Sequence, residues 1–380
     1  MEVKQIATLT NNVLAEVLGT DDIMQEDLSN VVDVGNAIFD ASAFDLYVRS
    51  LVNHIGKVIF VNRPYSGSAP SVYRDAWEYG SVVEKIHSVM PTATENDSWD
   101  LVDGQTYDPH VFHKPVAVAK FFNKMTTFEI ERSITERQVK QSFSSATQLN
   151  AFISMLFNET EKALTVRTDA LIMRTINNFM AEIIQAEDAQ NPSPRVRNLL
   201  TEYNTVTGSS LTAANALYSK EFIRFCVYQI ALTTDRLTRM STLFNCGGTQ
   251  KFTPKAQQHV VLLSQFQSAA DIYLQSDTYH DGYTKLVQAE TVPFWQGSGS
   301  NFELSDTWTI NVKCASTGTA ISQSGILGVI FDHDAIGVMQ ENSRVTTQYN
   351  AKAEFTNYFY KRDCRYFNDM NENGVVFLCA

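Results

Sequence analysis

Along the first third of the chain the spacing of apolar positions changes several times. Leu9, Val13, Val17 and Leu18 fall at helical spacing, and Gly19 with Asp21-Asp22 interrupts them. Phe44, Tyr47, Val48, Leu51 and Val52 share one helical face, which Gly56 closes as a C-terminal glycine does. Lys57-Val58-Ile59-Phe60-Val61 reads as a strand by its β-branched and aromatic content. Between 62 and 115 the turn formers Gly, Pro, Ser, Asp and Asn recur. Within this stretch, Tyr73 to Met90 carries Trp77, Tyr79, Val82, Val83 and Ile86 and reads as extended β-structure without a dense core of its own. A loop this long inside a compact domain is uncommon. It is predicted to project as a β-hairpin whose apolar side chains are covered by a partner.

From Val116 to Asn191 there is neither Gly nor Pro. Thr127 to Ile134 alternates polar and apolar with period two, which predicts a strand with one buried face. The period then becomes helical through Leu149, Phe152, Ile153, Leu156, Leu164, Leu171, Ile172, Ile176, Phe179, Ile183 and Ile184. A helix from about Ser145 to Glu187 would be roughly 65 Å long, with Thr165, Val166 and Thr168 a place for a bend. Residues 195–245 read as helical again, and 257–290 as a mixture of helix and strand, with Val260 to Leu263 and Ile272 to Leu274 as its apolar runs. Gly297-Ser298-Gly299-Ser300 reads as a loop. Trp308 to Val312, Ile326 to Phe331 and Val375 to Leu378 read as strands, and Tyr349 to Phe355 alternates. No internal repeat is found.

Charge sharpens this division. The 380 residues carry 42 acids and 30 bases, a net −12, and only 19% are charged, against ~25% in ordinary soluble domains. Residues 1–55 hold nine acids and two bases, and 56–115 hold eight and five. The first 115 residues thus carry −10 of the total, and the other 265 are nearly neutral. No apolar run approaches the ~18–20 residues of a bilayer span, and the N-terminus lacks a secretory pattern. A pI near 5.1 argues against a generic nucleic-acid binder. Five scattered cysteines (Cys226, Cys246, Cys314, Cys364, Cys379) without a CxxC pair read as buried free thiols.

Chemistry-bearing constellations are sparse. His110 and His113 make an H-x-x-H in a Pro-flanked loop without a third ligand motif. Asp332-His333-Asp334 follows a strand, where a catalytic carboxylate could sit, but Asp-rich turns are ordinary there. Phosphate-loop, dinucleotide and nucleophile-elbow patterns are absent. Lys361-Arg362-Asp363-Cys364-Arg365, beside Tyr358, Phe359, Tyr360 and Tyr366, fits either a polar turn between aromatic-rich strands or a base-stacking platform. No cofactor or metal is expected. Low charge and abundant aromatics fit a chain largely covered by neighbours.

Three stretches carry a family resemblance. They are Val31 to Ile38 continuing through Phe44 to Val58, then Lys120-Phe121-Phe122-Asn123-Lys124 leading to Leu149 to Ser154, and the tail Tyr358-Phe359-Tyr360, Arg365-Tyr366-Phe367, Val375-Val376-Phe377. Their order resembles the major capsid protein of tailed phages with the α+β Hong Kong 97-type (HK-97) fold, on the side of the short-tailed phi-29-like phages. The resemblance implies an N-terminal arm over 1–55 and an extended loop over 56–115. It implies a peripheral-domain strand and spine helix over 116–192, an axial domain over 193–340, and a return to the peripheral sheet over 341–380. It further implies a non-enzymatic shell protein that self-assembles into hexamers and pentamers around double-stranded DNA. Its partners would be a scaffolding protein and a portal, with assembly in the bacterial cytoplasm, residence in the virion and no membrane.

In this reading Tyr73, Trp77 and Tyr79 are buried on a neighbour, and Arg63 and Arg74 pair with carboxylates there. Lys120, Lys124 and Arg132, with Arg137, Lys140, Arg167 and Arg174, receive a neighbour's acids. Two alternatives stay open: an encapsulin-type bacterial compartment of the same fold, and a cytosolic enzyme using His110/His113 or Asp332/His333.

Overall fold

The computed structural model describes residues 69–74, 82–135, 146–187, 193–275, 289–295, 308–314 and 316–380, with Thr8, Asn11, Asn12, Leu14, Ala15 and Gln25 as isolated positions. Of the first expected arm helix only Thr8, Asn11, Asn12, Leu14 and Ala15 are described, and all five are helical. The second arm helix, the strand at 57–61, the 297–300 loop, and Arg63, Trp77, Tyr79, Arg137 and Lys140 lie outside the described residues.

Two sheets organise the chain. The first has the order β1 (Tyr73–Arg74), β11 (Ile336–Asn350), β12 (Phe355–Asn368), β4 (Met125–Thr135). The second has the order β5 (Val196–Asn198), β13 (Gly374–Leu378), β10 (Ile326–Asp332), β6 (Gln258–Leu263), β7 (Glu290–Val292). Two hairpins stand outside them: β2 (Val83–Ser88) with β3 (Ala117–Phe122), and β8 (Ile310–Lys313) with β9 (Ala320–Gln323). The helices are α1 (Ala146–Gln185), α2 (Leu199–Thr207), α3 (Ala213–Ala216), α4 (Lys220–Leu237) and α5 (Ser264–Gln275).

The 40 residues of α1 follow from the Gly- and Pro-free sequence, and at 1.5 Å per residue they make about 60 Å. Its C-terminal half is buried on nearly every face, from Thr168 through Ile183, because it packs against both sheets and against β8 and β9. Its buried threonines are satisfied within the helix: Thr168 and Thr175 donate to the carbonyls of Leu164 and Leu171 at 2.9 and 2.7 Å. Gly374 is a packing requirement, since a Cβ there would stand 2.6 Å from the Phe179 ring. β10 is buried at all seven positions, as a central strand covered on both faces must be. Gly328 lets it lie against β6, where a Cβ would reach 2.5 Å from Leu262.

Several expectations change here. The alternation expected from Tyr349 to Phe355 is cut by a turn at 351–354. Asn350 Oδ1 accepts from the amides of Lys352 (3.1 Å) and Ala353 (3.3 Å), and Glu354 takes φ 52°. In the stretch read as a mixture of helix and strand, Ile272 to Leu274 falls in the helical part, within α5, where Phe266 and Ala270 share a buried face one turn apart. The 195–245 region opens with the short strand β5 before its helices. The last segment divides. β12 lies beside β4 in the first sheet, but β13 joins the second sheet between β5 and β10. All five residues of β13 are buried, so it needs a sheet covered on both faces. The first sheet's free stretch, with its alternating pattern in β4 and outer β11, is not covered in that way.

Among the described residues no helix is long and apolar enough to cross a membrane. All five cysteines are free, and Cys246 alone is only partly buried. Burial pushes the thiols of Cys364 and Cys379 up to about 12 and about 11, which leaves them protonated and inert.

Candidate functional site

The hairpin β2–β3 is built from residues that elsewhere would make a core. Val83, Ile86, Val118, Phe121 and Phe122 stand on it, and the intervening 89–116 loop adds Met90, Trp99, Leu101, Val102, Tyr107, Val111 and Phe112. Of the 22 large hydrophobic residues exposed among the described residues, 14 fall between Val82 and Met125. Trp99 is 98% exposed and Phe112 82%. A two-stranded ribbon is at best marginally stable alone in water. Apolar exposure this concentrated marks an interaction surface. The hairpin closes at Phe122, so the expected loop limit at 115 falls just ahead of its second strand.

What fixes the ribbon is its root. Lys85 and Lys120 are directly opposite each other in the β2–β3 register, an arrangement that repels unless an anion lies between them. Asp369, in the turn after β12, supplies it. Lys85 Nζ reaches Asp369 Oδ2 at 2.8 Å and Lys120 Nζ reaches Oδ1 at 2.7 Å. Lys85 also reaches Glu372 at 2.9 Å, and Lys251 reaches the same Glu372 oxygen at 3.0 Å. Burial pushes the Asp369 pKa up, but the hydrogen bonds from Lys120 and Lys85 outweigh it and hold the carboxyl below its ordinary 3.8. Burial likewise works against the charge on Lys85, and Asp369 and Glu372 reverse this, so its pKa is raised. Beneath the charges Val83, Met339 and Phe367 form a small buried cluster with Phe122, whose ring lies 5.1 Å from that of Phe367.

The residues expected to meet a neighbour are largely engaged within their own chain. Tyr73 packs on the main core, and its hydroxyl donates to Gln340 at 3.1 Å. Arg74 pairs with Asp334 at 3.1 Å and lies 5.4 Å over the Phe367 ring. Lys120 belongs to the root just described. Lys124 is exposed in the β3–β4 turn, its carbonyl accepting from Tyr366 at 3.3 Å. Arg132 lies on the half-buried face of β4 near Tyr360, whose pKa burial raises to about 12 while Arg132 pulls it back. Arg167 is exposed on α1, and Arg174 stacks at 5.1 Å on Tyr366.

Among the described residues the enzyme alternative finds no assembled machinery. His110 and His113 are exposed in the hairpin loop, and the His110 amide donates to Asp108 at 2.8 Å as an ordinary turn. Asp332 is buried, accepting from Thr253 at 2.6 Å and from the Asp334 amide at 2.8 Å, and so organises its own turn. Among the described residues no group of three His, Cys, Asp or Glu is arranged to hold a metal ion. The root carboxylates escaped notice in the sequence because Asp369 and Glu372 sit in an Asn-rich turn. Only the strand register, which no local pattern carries, brings Lys85 opposite Lys120.

Three comparisons bear on this geometry. The family model described as Phi29-like phage major capsid protein matches residues 6–378. No curated protein matches the chain. Among solved structures, a capsid structure of Staphylococcus phage Andhra superposes with TM-score 0.52 at 9% identity, over 84% of this chain and 87% of that one. A structure of bacteriophage P68, described as head fiber and inner core protein gp22, superposes with TM-score 0.51 at 10% identity, over 81% and 83%. At such identities the likeness is one of fold.

Proposed function

Because this chain belongs to the Phi29-like phage major capsid protein family, we propose that its exposed hairpin is the element that joins one subunit of the phage head to the next. The protein is a structural head protein of the virion with the Hong Kong 97-type fold, not an enzyme, and it acts by self-association. That family also sets aside the encapsulin-type compartment.

The observation that carries the proposal is the concentration of exposed apolar side chains on a ribbon with a charged, fixed root. A clamped root holds the ribbon in place while its far part stays uncovered. A neighbouring subunit supplies the missing cover, and repetition of that contact by symmetry closes hexamers and pentamers into a shell. The hairpin so defined runs from Val82 through Phe122. The arm over 1–55, the axial body from 193 and the peripheral sheet of β4, β12 and outer β11 are the other working parts. Double-stranded DNA is then enclosed rather than gripped, which fits an acidic chain with few bases. A scaffolding protein and a portal, with assembly in the bacterial cytoplasm, complete the reading.

Replacing residues 90–115 by a short Gly-containing turn tests it. The expected outcome is a soluble, folded chain by circular dichroism and size exclusion, with no closed particles by negative-stain microscopy. Shells of normal yield from that variant would sink the proposal.

A further inference from the structure

Residues 69–74, just ahead of the hairpin, cross from the second sheet to the first. Pro70 and Val72 are buried, and Tyr73 and Arg74 pair in parallel with β11. Ser71 turns instead toward β7. Its amide donates to Glu290 Oε2 at 2.8 Å, and its hydroxyl donates to Oε1. Glu290 Oε1 stands 3.8 Å from His259 Nδ1 on β6. The other ring nitrogen, His259 Nε2, is 2.9 Å from His333 Nδ1 in the turn after β10, and the two rings stack at 5.2 Å. The carbonyl of His333 accepts from the Arg74 guanidinium. The contacts therefore leave this segment at Ser71 and return to it at Arg74.

Two facing ring nitrogens at this distance need one N–H and one lone pair. Glu290 orients the Nδ1–H of His259, which leaves its Nε2 to accept from the Nδ1–H of His333. If His259 alone is charged, its Nε2–H can donate to a neutral His333. With both rings charged, two N–H groups meet head to head. The surrounding charges act in both directions. Arg74 and His259 oppose a proton on His333, and Asp332 and Asp334 favour one. Burial raises the Glu290 pKa, but the hydrogen bonds from His259 and Ser71 hold it below its ordinary 4.5, and Lys255 lines the same groove. His333 is exposed by surface area, and the partial desolvation of its ring, then Arg74 and His259, hold it below the ordinary imidazole value of 6.5.

We propose that Ser71, Glu290, His259 and His333 form an acid-released latch on residues 69–74. Protonation of the second imidazole breaks the His259–His333 contact and loosens this segment, while the lysine–carboxylate root still grips the hairpin itself. A histidine with a depressed folded pKa contributes stability that is present above 6.5 and is lost as pH falls through the folded value. The latch is a property of the folded chain.

Hydrogen exchange of the full chain, corrected for intrinsic amide rates, tests the latch between about pH 7.5 and pH 5. The expected result is faster exchange of the Ser71 to Arg74 amides, approaching about tenfold per pH unit for one coupled proton, with β10 and β13 unchanged. His333→Asn keeps a donor toward His259 but cannot titrate, and should remove that pH dependence. Flat exchange in the wild type, or equal dependence in His333→Asn, overturns the latch. If that variant does not fold, wild-type histidine resonances decide. One imidazole titrating below 6.5 supports the latch, and both titrating independently at 6.5 refute it. Particle formation, scored separately by electron microscopy, reads the shell assignment, so the two can fail independently.

Discussion

β10 and the β2–β3 ribbon are made of the same kinds of residue and have opposite fates. Ile326 to Phe331 is apolar and buried at every position, with Phe179 of α1 against Phe331 and a neighbouring strand on either side. Val82 to Met125 carries the same apolar residue types at a lower density, yet it leaves 14 large apolar side chains in water. What differs is the supply of partners within the chain. The core strand closes its surface intramolecularly, and the ribbon keeps only its root closed. Hydrophobic content thus tells how much surface must be covered, and topology tells whether the same molecule covers it.

The contrast can be broken most forcefully from the core side. Phe179→Ala removes a fully buried ring that packs on Gly374 and, at 6.1 Å, on Phe331. Losses of this kind run to about 3–5 kcal/mol, and a denaturant titration should show the drop at unchanged slope. Asp369→Ala comes next. It leaves Lys85 and Lys120 facing each other without their anion, and a loss of about 3 kcal/mol is expected. Exchange should quicken in β2 and β3 before it does in β10.

Acid gives a milder version of the same cut. The depressed carboxyl of Asp369 contributes stability that is present above 3.8 and lost as pH falls through its lower folded value. Protection of β2 and β3 should therefore hold at mild acidity and fall only below about pH 4, a window distinct from that of the histidine latch. Smallest in stability, and sharpest in meaning, are Trp99→Ala and Phe112→Ala. Both side chains are in water already, so each should move the folding free energy by less than about 0.5 kcal/mol. Particle yield by sedimentation should nonetheless fall. If yield holds while stability drops, these rings serve the monomer and the contrast is misdrawn.

Much of the architecture was legible where one local rule governs. The period-two run of β4, the Gly- and Pro-free α1, and the apolar runs of β10 and β13 all fall where their patterns put them. Of the hairpin only the first strand, β2, was legible as extended structure lacking a core; its second, β3, lies beyond the expected limit at 115, and Tyr73–Arg74 belongs to the first sheet. The misses have physical causes. The turn at 351–354 depends on Asn350 bridging two amides and on a left-handed Glu354, neither of which alternation reveals. That β13 leaves the first sheet, and that Asp369 sits between two lysines 249 and 284 residues away, are outcomes of long-range pairing.

One strand carries a mechanical consequence. β11 begins with four buried residues, Ile336 to Met339, and then runs outward with an alternating face to Asn350, bonded along its length to β12. At about 3.3 Å per residue it is a lever roughly 50 Å long, with its fulcrum in the core beside the hairpin root. A tilt of about 5° at the buried end would carry the far turn through about 4 Å of arc. Adjustments too small to disturb the packing around Ile336 are in this way magnified at the far turn.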